Sequence, residues 1–272
     1  MASKSDWAGR VGQEWARRVA DMEDWLGPPG LAGLTALGKV RDVSVLDVGC
    51  GAGASSRWLA AEGAGVVGVD VSADLLAVAK AASGAAYRLA DAAEDDLGGP
   101  YDAIYSRFGA MFFDDPEAGW SHIRGHMRTD AKGVIVAWRG WDENPWTALP
   151  AQWMTPILGE DVMAPSVTGV PGPFAWGDAD YAKAVLAGAG WRDVALTPWT
   201  QENVLSMGTD PDPAVRAAKA TMTISPVASR LKDASEAQLS AVRQELVSRF
   251  RDYVRGDAVW MKASVWIITM RA

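Results

Sequence analysis

Residues 45–54 read VLDVGCGAGA, an apolar run that ends in an acid and passes into three glycines spaced by two. The apolar part is typical of a buried β-strand. Gly49, Gly51 and Gly53 allow the backbone to approach a ligand closely. Such a loop delivers the next helix with its N-terminal N–H groups facing the ligand, which suits a carboxylate or a phosphate. The stretch therefore predicts a strand–loop–helix unit that binds an anionic group, without identifying the ligand.

The sequence on both sides of this stretch alternates short β-rich runs with segments of helical periodicity. This pattern is typical of βαβ units that build a parallel sheet. Connections between successive parallel strands are right-handed, so the units wind into an open sheet with helices on both faces. A ligand then binds at the carboxyl ends of the strands. Strands are predicted at 43–48, 65–70, 86–90, 101–106 and 133–139, and helices at 54–62, 72–82 and 116–127.

The second half of the chain departs from this alternation. Residues 142–177 are rich in proline, glycine and tryptophan, and we interpret them as an insertion in a substrate cap. The predicted fold is an α/β, Rossmann-like, doubly wound and mostly parallel seven-stranded sheet, with an antiparallel last strand at its edge and a helical cap. Further helices are predicted at 178–190, 212–222 and 235–254, and further strands at 191–199 and 258–270. The expected parts are an N-terminal helical cap (1–40), a cofactor-binding core (41–141), the cap insertion (142–177) and the remainder of the sheet (178–272) with a helical cap segment (200–256).

The composition limits the classes of function. The 272 residues carry a formal net charge of −8 and no basic run, which argues against nucleic acid as a partner. No stretch approaches the roughly 18 apolar residues of a membrane span, so a cytoplasmic protein is expected. Cys50 is the only cysteine, which excludes an intramolecular disulfide and makes a metal site unexpected. The 14 tryptophans lie mainly outside the predicted core, and would either wall an organic ligand or fill the interior.

Two classes of cofactor fit the glycine loop. Gly49, Gly51 and Ala54 satisfy the dinucleotide fingerprint, and Asp70 ends the next predicted strand, where a ribose-binding acid belongs. An NAD-dependent oxidoreductase is therefore one candidate. Asp47 argues against it, because a dinucleotide site normally has an apolar residue under this turn. A cationic or amino-bearing ligand would give that carboxylate a purpose.

The order of motifs resembles that of class I S-adenosylmethionine-dependent methyltransferases. Residues 47–53 resemble the first motif of the family, and residues 66–72 (VVGVDVS) the second, whose acid holds both ribose hydroxyls. Residues 89–92 (LADA) resemble the third motif, whose acid or neighbouring backbone meets the adenine amino group, and residues 101–107 (YDAIYSR) the fourth. The resemblance implies that the cofactor is bound by Asp47, Gly49, Cys50, Gly51, Gly53, Asp70, Val71, Asp91, Ala92, Ser106 and Arg107, with Trp7 and Trp15 from the cap.

Residues 106–116 (SRFGAMFFDDP) resemble a bacterial branch of this family related to ubiquinone and menaquinone C-methyltransferases. Residues 7–15 resemble the N-terminal cap of that branch, although Ala8 stands where asparagine is common. Residues 128–133 also depart from the usual proline and paired glycines before the fifth strand. These departures alter a turn and a cap contact and leave the cofactor assignment intact.

The resemblance implies transfer of a methyl group from S-adenosylmethionine to a small organic acceptor, with S-adenosylhomocysteine as product. The acceptor atom, oxygen, carbon or nitrogen, is not determined by the sequence. A hydroxyl acceptor would need a general base, for which His122 is the candidate, although a solvated helix-surface histidine is the common alternative. A protein that binds the cofactor without methylating is a second alternative, and a homodimer is compatible with the sequence. The residues expected to face the substrate are Phe108, Met111, Trp138, Trp146 and Trp176.

Overall fold

The computed structural model describes residues 4–159 and 168–272. Part of the expected insertion, residues 160–167, lies outside the described residues. The helices are α1 Lys4–Ala8, α2 Arg10–Ala16, α3 Val19–Leu37, α4 Ala54–Ala61, α5 Ala73–Ala82, α6 Pro116–Gly125, α7 Pro145–Leu158, α8 Ala179–Gly188, α9 Pro213–Ile224 and α10 Glu236–Phe250. The strands are β1 Ser44–Val48, β2 Gly65–Asp70, β3 Ala86–Leu89, β4 Tyr101–Arg107, β5 Met127–Trp138, β6 Arg192–Val204, β7 Val254–Arg255 and β8 Ala258–Arg271.

The central sheet has the order β3-β2-β1-β4-β5-β8-β6, and β7 pairs only with β8. The first five strands are parallel to one another, and β8 is antiparallel to both of its neighbours. The predicted Rossmann-like sheet with an antiparallel last strand is therefore confirmed. Strand β8 lies one place in from the edge, which β6 forms. Its side chains are almost continuously buried whereas those of β6 are mostly exposed, so burial on both faces explains the interior position.

Several elements differ in length from the prediction. Strand β5 begins at Met127 rather than at residue 133, and α6 ends at Gly125. Strand β6 continues to Val204, so the first residues of the expected helical segment 200–256 are extended. The reason is the partner strand, because β6 and β8 pair as far as Val204 opposite Trp260. Long-range pairing of this kind leaves no local signal in the sequence.

Helix α3 brings the N-terminal segment onto the sheet. A Cβ atom on Gly33 would lie 2.4 Å from Cγ2 of Val136, so only glycine allows this approach to β5. Pro29 lies inside α3 and has no N–H for the carbonyl of Trp25, four residues earlier. The side-chain amide of Asn203 on β6 donates to that oxygen at 2.8 Å instead. The helix is thus tied to both β5 and β6.

Residues 145–158, expected to be irregular, form helix α7 in spite of internal Pro150 and Pro156. The helix packs against α10, with the rings of Trp153 and Phe250 edge to face at 5.3 Å. Burial of this face outweighs the low helix propensity of proline. Along the described part of the chain, no helix is both long and apolar enough to cross a membrane.

Candidate functional site

A cavity of about 1160 Å³ lies at the carboxyl ends of β1, β2 and β4. Helices α1 to α3 cover one side of it, and residues 205–232 cover another. Ligand pockets commonly measure about 300–1,000 Å³, so this cavity has room for a cofactor and a second small molecule. The glycine loop and several acidic residues line part of it, and a cluster of tryptophan and phenylalanine rings lines another part.

The glycine loop after β1 has the backbone that its sequence predicts. Gly49, Gly51 and Gly53 have φ angles of +67°, +53° and +78°, which side-chain-bearing residues rarely adopt. The N–H groups of Gly49 and Cys50 both donate to the carbonyl of Val69, at 2.9 and 3.1 Å. A Cβ atom on Gly51 would meet no protein atom within 4 Å, so this side of the loop is open. The loop therefore presents bare backbone to the cavity.

Asp70 ends β2 with both carboxylate oxygens held by the backbone. The N–H of Gly51 donates to Oδ2 and the N–H of Ser72 to Oδ1, each at 2.8 Å. Burial raises the pKa of the Asp70 carboxyl, and backbone hydrogen bonds from Ser72, Gly51 and Val71 partly oppose that shift. A carboxylate oxygen can accept more than one hydrogen bond. Asp70 can therefore accept two further donors, such as a vicinal diol, from within the cavity.

Asp91 and Ala92 line the cavity beyond the end of β3. The N–H of Ala93 donates to Oδ1 of Asp91 at 2.9 Å, and the N–H of Asp91 donates to Oδ2 of Asp95 at 2.8 Å. Val71 and Leu75 add apolar surface at the same end. This combination of apolar wall and fixed acid suits a flat heterocycle with an exocyclic amine.

Asp47 lies beneath the glycine loop and is not part of the cavity wall. Its Oδ2 accepts from Oγ of Ser56 at 2.5 Å, whereas its Oδ1 has no hydrogen-bond partner among the described residues. Burial raises the pKa of Asp47 to about 6, against the lowering effects of Ser56 and of the positive Arg107. At neutral pH the protein thus keeps an incompletely paired anion under the loop.

We expect Asp47→Asn to change the pH dependence of stability. A carboxyl whose pKa is raised to about 6 stabilises the fold below the ordinary value of 3.8, and that contribution is lost as the pH rises through 6. The neutral amide does not titrate, so the unfolding free energy of the variant should gain about 2 kcal/mol on that of the wild type between pH 4 and pH 7.5. Urea unfolding of the ligand-free proteins measures this. If the unfolding free energies of the wild type and the variant changed with pH by the same amount, the prediction would be wrong.

Arg107, at the end of β4, pairs with Glu23 of α3 instead of remaining open for a ligand. Its two terminal nitrogens donate to the two carboxylate oxygens of Glu23 at 2.8 and 2.6 Å. Both residues line the cavity, and the Arg107 side chain is only 13% exposed. This bidentate pair fastens the N-terminal helices to the sheet. No local motif identifies Glu23 as the partner of Arg107, because the two residues lie far apart in the chain.

Besides Asp47, two further expected cofactor residues support the loop without reaching the cavity. Ser106 is fully buried, and its hydroxyl donates to the carbonyl of Val48 at 3.0 Å. Gly53 approaches Tyr87 so closely that a Cβ atom would lie 2.4 Å from the phenolic oxygen. Neither Ser106 nor Gly53 is part of the cavity wall.

The N-terminal tryptophans do reach the cavity. Trp7 packs edge to face against Trp15 at 5.0 Å and against Phe112 at 5.2 Å. All three rings line the cavity. Nε1 of Trp7 is buried and has no protein partner within the described segments, so a bound ligand can satisfy this donor.

The far end of the cavity is aromatic. The sequence predicted four of its residues, Phe108, Met111, Trp138 and Trp146, and all four line it. It missed Trp25, which lies on α3 and reaches the cavity only because that helix crosses the sheet. These rings come together because distant segments of the chain pack against one another, and no local sequence motif marks them.

Two predicted site residues lie elsewhere. Trp176 is 1% exposed and packs against Trp120 at a ring distance of 6.0 Å, so it fills the core and does not face a substrate. His122 lies on α6 outside the cavity wall, where its Nε2 is 2.9 Å from the carbonyl oxygen of Asp95. The side chain of His122 thus lacks the contact with a cavity-bound acceptor that a general base needs.

The comparisons with known proteins agree with this geometry. Residues 45–130 match the sequence profile of a family described as "Methyltransferase domain". No curated protein sequence matches the chain. Among solved structures, a candidate methyltransferase from Bacillus halodurans is similar with a TM-score of 0.56 at 15% identity, over 89% of this chain and 97% of that one.

Two further structures show the same fold. The YcgJ protein from Bacillus subtilis has a TM-score of 0.55 at 14% identity, over 90% of this chain and 97% of that one. Phosphoethanolamine N-methyltransferase 2 from Haemonchus contortus, in complex with phosphomonomethylethanolamine and S-adenosylhomocysteine, has a TM-score of 0.50 at 18% identity, over 88% of this chain and 52% of that one. Residues 45–130 therefore match a methyltransferase domain, and the chain shares the fold of these solved structures.

Proposed function

We propose that this enzyme methylates a small organic acceptor that binds in the aromatic end of the cavity. The observation that carries the proposal is the continuity of one cavity from the glycine loop and Asp70 to the rings of Trp138 and Trp146. A cofactor at the first end would place its reactive group next to an acceptor at the second. Much of the wall is apolar, which suits a small molecule better than a charged polymer.

The residues of the first end fit S-adenosylmethionine. Bare backbone at Gly49 and Gly51 suits close approach of the amino-acid part, and Asp70 offers two acceptor atoms to the ribose diol. Asp91 and Ala92 would meet the adenine, while Trp7 would close over the cofactor with its unpaired N–H. When bound, S-adenosylmethionine supplies an electrophilic methyl group on a sulfonium.

The chain's own contribution to the reaction is then mainly to position the acceptor and to exclude water. Such alignment can contribute up to about 7–11 kcal/mol to lowering a barrier. Within the described part of the chain, no histidine or tyrosine lines the cavity. An acceptor whose nucleophile is already electron-rich, such as an enol carbon, an amine or an acidic hydroxyl, therefore suits this site. C-methylation, which the resemblance to the quinone methyltransferase branch implies, is among these.

Calorimetry and product analysis test this function. The purified protein should bind S-adenosylmethionine and S-adenosylhomocysteine but not NAD, and should release S-adenosylhomocysteine when offered a panel of enols, phenols, thiols and amines. Mass spectrometry of the methylated product identifies the acceptor atom. Binding without release for every acceptor would favour a non-methylating cofactor-binding protein. No binding of either cofactor form would overturn the proposal.

A further inference from the structure

The acceptor end of the cavity contains a stack of nearly parallel aromatic rings. The ring centroids of Phe108 and Trp138 lie 4.5 Å apart, with an interplanar angle of 21°. Trp25 continues the stack beyond Trp138, at 6.3 Å and 29°. All three residues line the cavity. The rings of Phe108 and Trp25 therefore both lie nearly parallel to the ring of Trp138.

Phe108 has a strained backbone at the point where the stack meets the glycine loop. Its φ angle is +59°, in the left-handed region that bulky side chains rarely adopt. Its N–H donates to the carbonyl of Val136 at 2.9 Å, which holds this turn. The following residue, Gly109, lies against the loop, since a Cβ atom on Gly49 would be 3.0 Å from Cα of Gly109. Strain of this kind is concentrated at ligand sites, where the surrounding structure maintains it.

The rings behind Phe108 are also fixed in place. Trp146 packs on Trp138 at 5.0 Å, and its Nε1 donates to Oδ1 of Asn144 at 3.0 Å. Asn144 is fully buried, and the two N–H bonds of its amide are shared among three backbone carbonyls within hydrogen-bond distance, including that of Ser264 at 3.1 Å. A wall held in this way can select a ligand by shape without rearranging first.

We propose that Phe108 is the ring on which the acceptor lies, and that the acceptor is a flat aromatic molecule stacked against it. Trp138 covers one face of Phe108, yet Phe108 is only half-buried and lines the cavity beside the glycine loop. A ligand ring in offset contact with Phe108 would extend the existing parallel stack. The inference rests on the proposed function, because the stacked ring would present its nucleophile towards the cofactor end.

The test compares two alcohols of the same carbon skeleton, 2-naphthol and decahydro-2-naphthol, by calorimetry on protein saturated with S-adenosylhomocysteine. We expect the wild type to bind the aromatic alcohol about three- to tenfold more tightly than the saturated one. Phe108→Leu should abolish this preference. Phe108→Gly, which removes the ring and also permits the positive φ, serves as a second variant if the leucine protein does not fold. Trp199→Leu, a half-buried ring on β6 outside the cavity wall, is the matched control and should keep the preference.

The affinity for S-adenosylhomocysteine, measured first for each protein, separates the two proposals. If the wild type does not bind S-adenosylhomocysteine, the proposed function itself fails. If the wild type binds S-adenosylhomocysteine, three results would contradict the stacking proposal alone. The first is an affinity for decahydro-2-naphthol equal to or higher than that for 2-naphthol, and the second is no binding of either alcohol. The third is a preference for 2-naphthol that the Phe108 variants retain.

Discussion

Asp70→Ala is expected to weaken the binding of S-adenosylhomocysteine by roughly 10²- to 10⁴-fold, the largest effect we predict for a single side chain. The carboxylate would accept hydrogen bonds from both ribose hydroxyls, and each such bond to a charged group contributes about 1.5–3 kcal/mol. The substitution also frees the N–H of Gly51, which Oδ2 holds at 2.8 Å. Isothermal calorimetry on the purified variant gives the dissociation constant.

Asp74→Ala is the control for this experiment. Asp74 lies in the first turn of α5, is exposed, and does not line the cavity. Its removal changes the net charge by the same amount as the loss of Asp70, so a general electrostatic effect would appear in both variants. If Asp70→Ala and the wild type bound S-adenosylhomocysteine with equal affinity, Asp70 would not bind the ribose.

Gly51→Ala is expected to lower cofactor affinity by roughly ten- to a hundredfold, because the new methyl group would project where a ligand must approach the backbone. No protein atom lies within 4 Å of that methyl position, so the folded protein can accommodate it. The remaining cost is the positive φ of +53°, about 1–2 kcal/mol of stability for an L residue. The variant should therefore fold and bind poorly.

Gly256→Ala controls for the backbone cost alone. Gly256 has a φ of +63° in the turn between β7 and β8, has equally open space at its Cβ position, and does not line the cavity. Thermal unfolding should show a similar loss of stability in both alanine variants, and calorimetry a loss of affinity only at Gly51. If both variants bind like the wild type, the cofactor does not contact this loop.

The predicted cofactor residues that line the cavity share a local origin. A glycine with positive φ, an acid at the end of a strand and a helix that begins after the loop are properties of consecutive residues. Gly49, Gly51 and Asp70 therefore reached the cavity wall as expected. The parallel strands β1, β2 and β4 were placed for the same reason, since apolar runs and turn residues mark them in the sequence.

The predicted site residues that lie outside the cavity wall depend on packing between distant segments. His122 lies on a helix that was located correctly. The way this helix packs against the sheet decides which of its residues face the cavity, and His122 is not one of them. Trp176 has the same chemistry as Trp146, yet one fills the core and the other lines the site. Residue type alone does not distinguish these two outcomes.

The amino-acid sequence by itself determined the strand–loop–helix unit and its acids, because their backbone geometry follows from neighbouring residues. Only the tertiary structure decided that β8 lies between β5 and β6, that Glu23 pairs with Arg107, and that Trp25 joins the aromatic end. Each of these contacts joins segments far apart in the chain. Their formation depends on how much apolar surface the whole fold buries, a quantity that no short stretch of sequence contains.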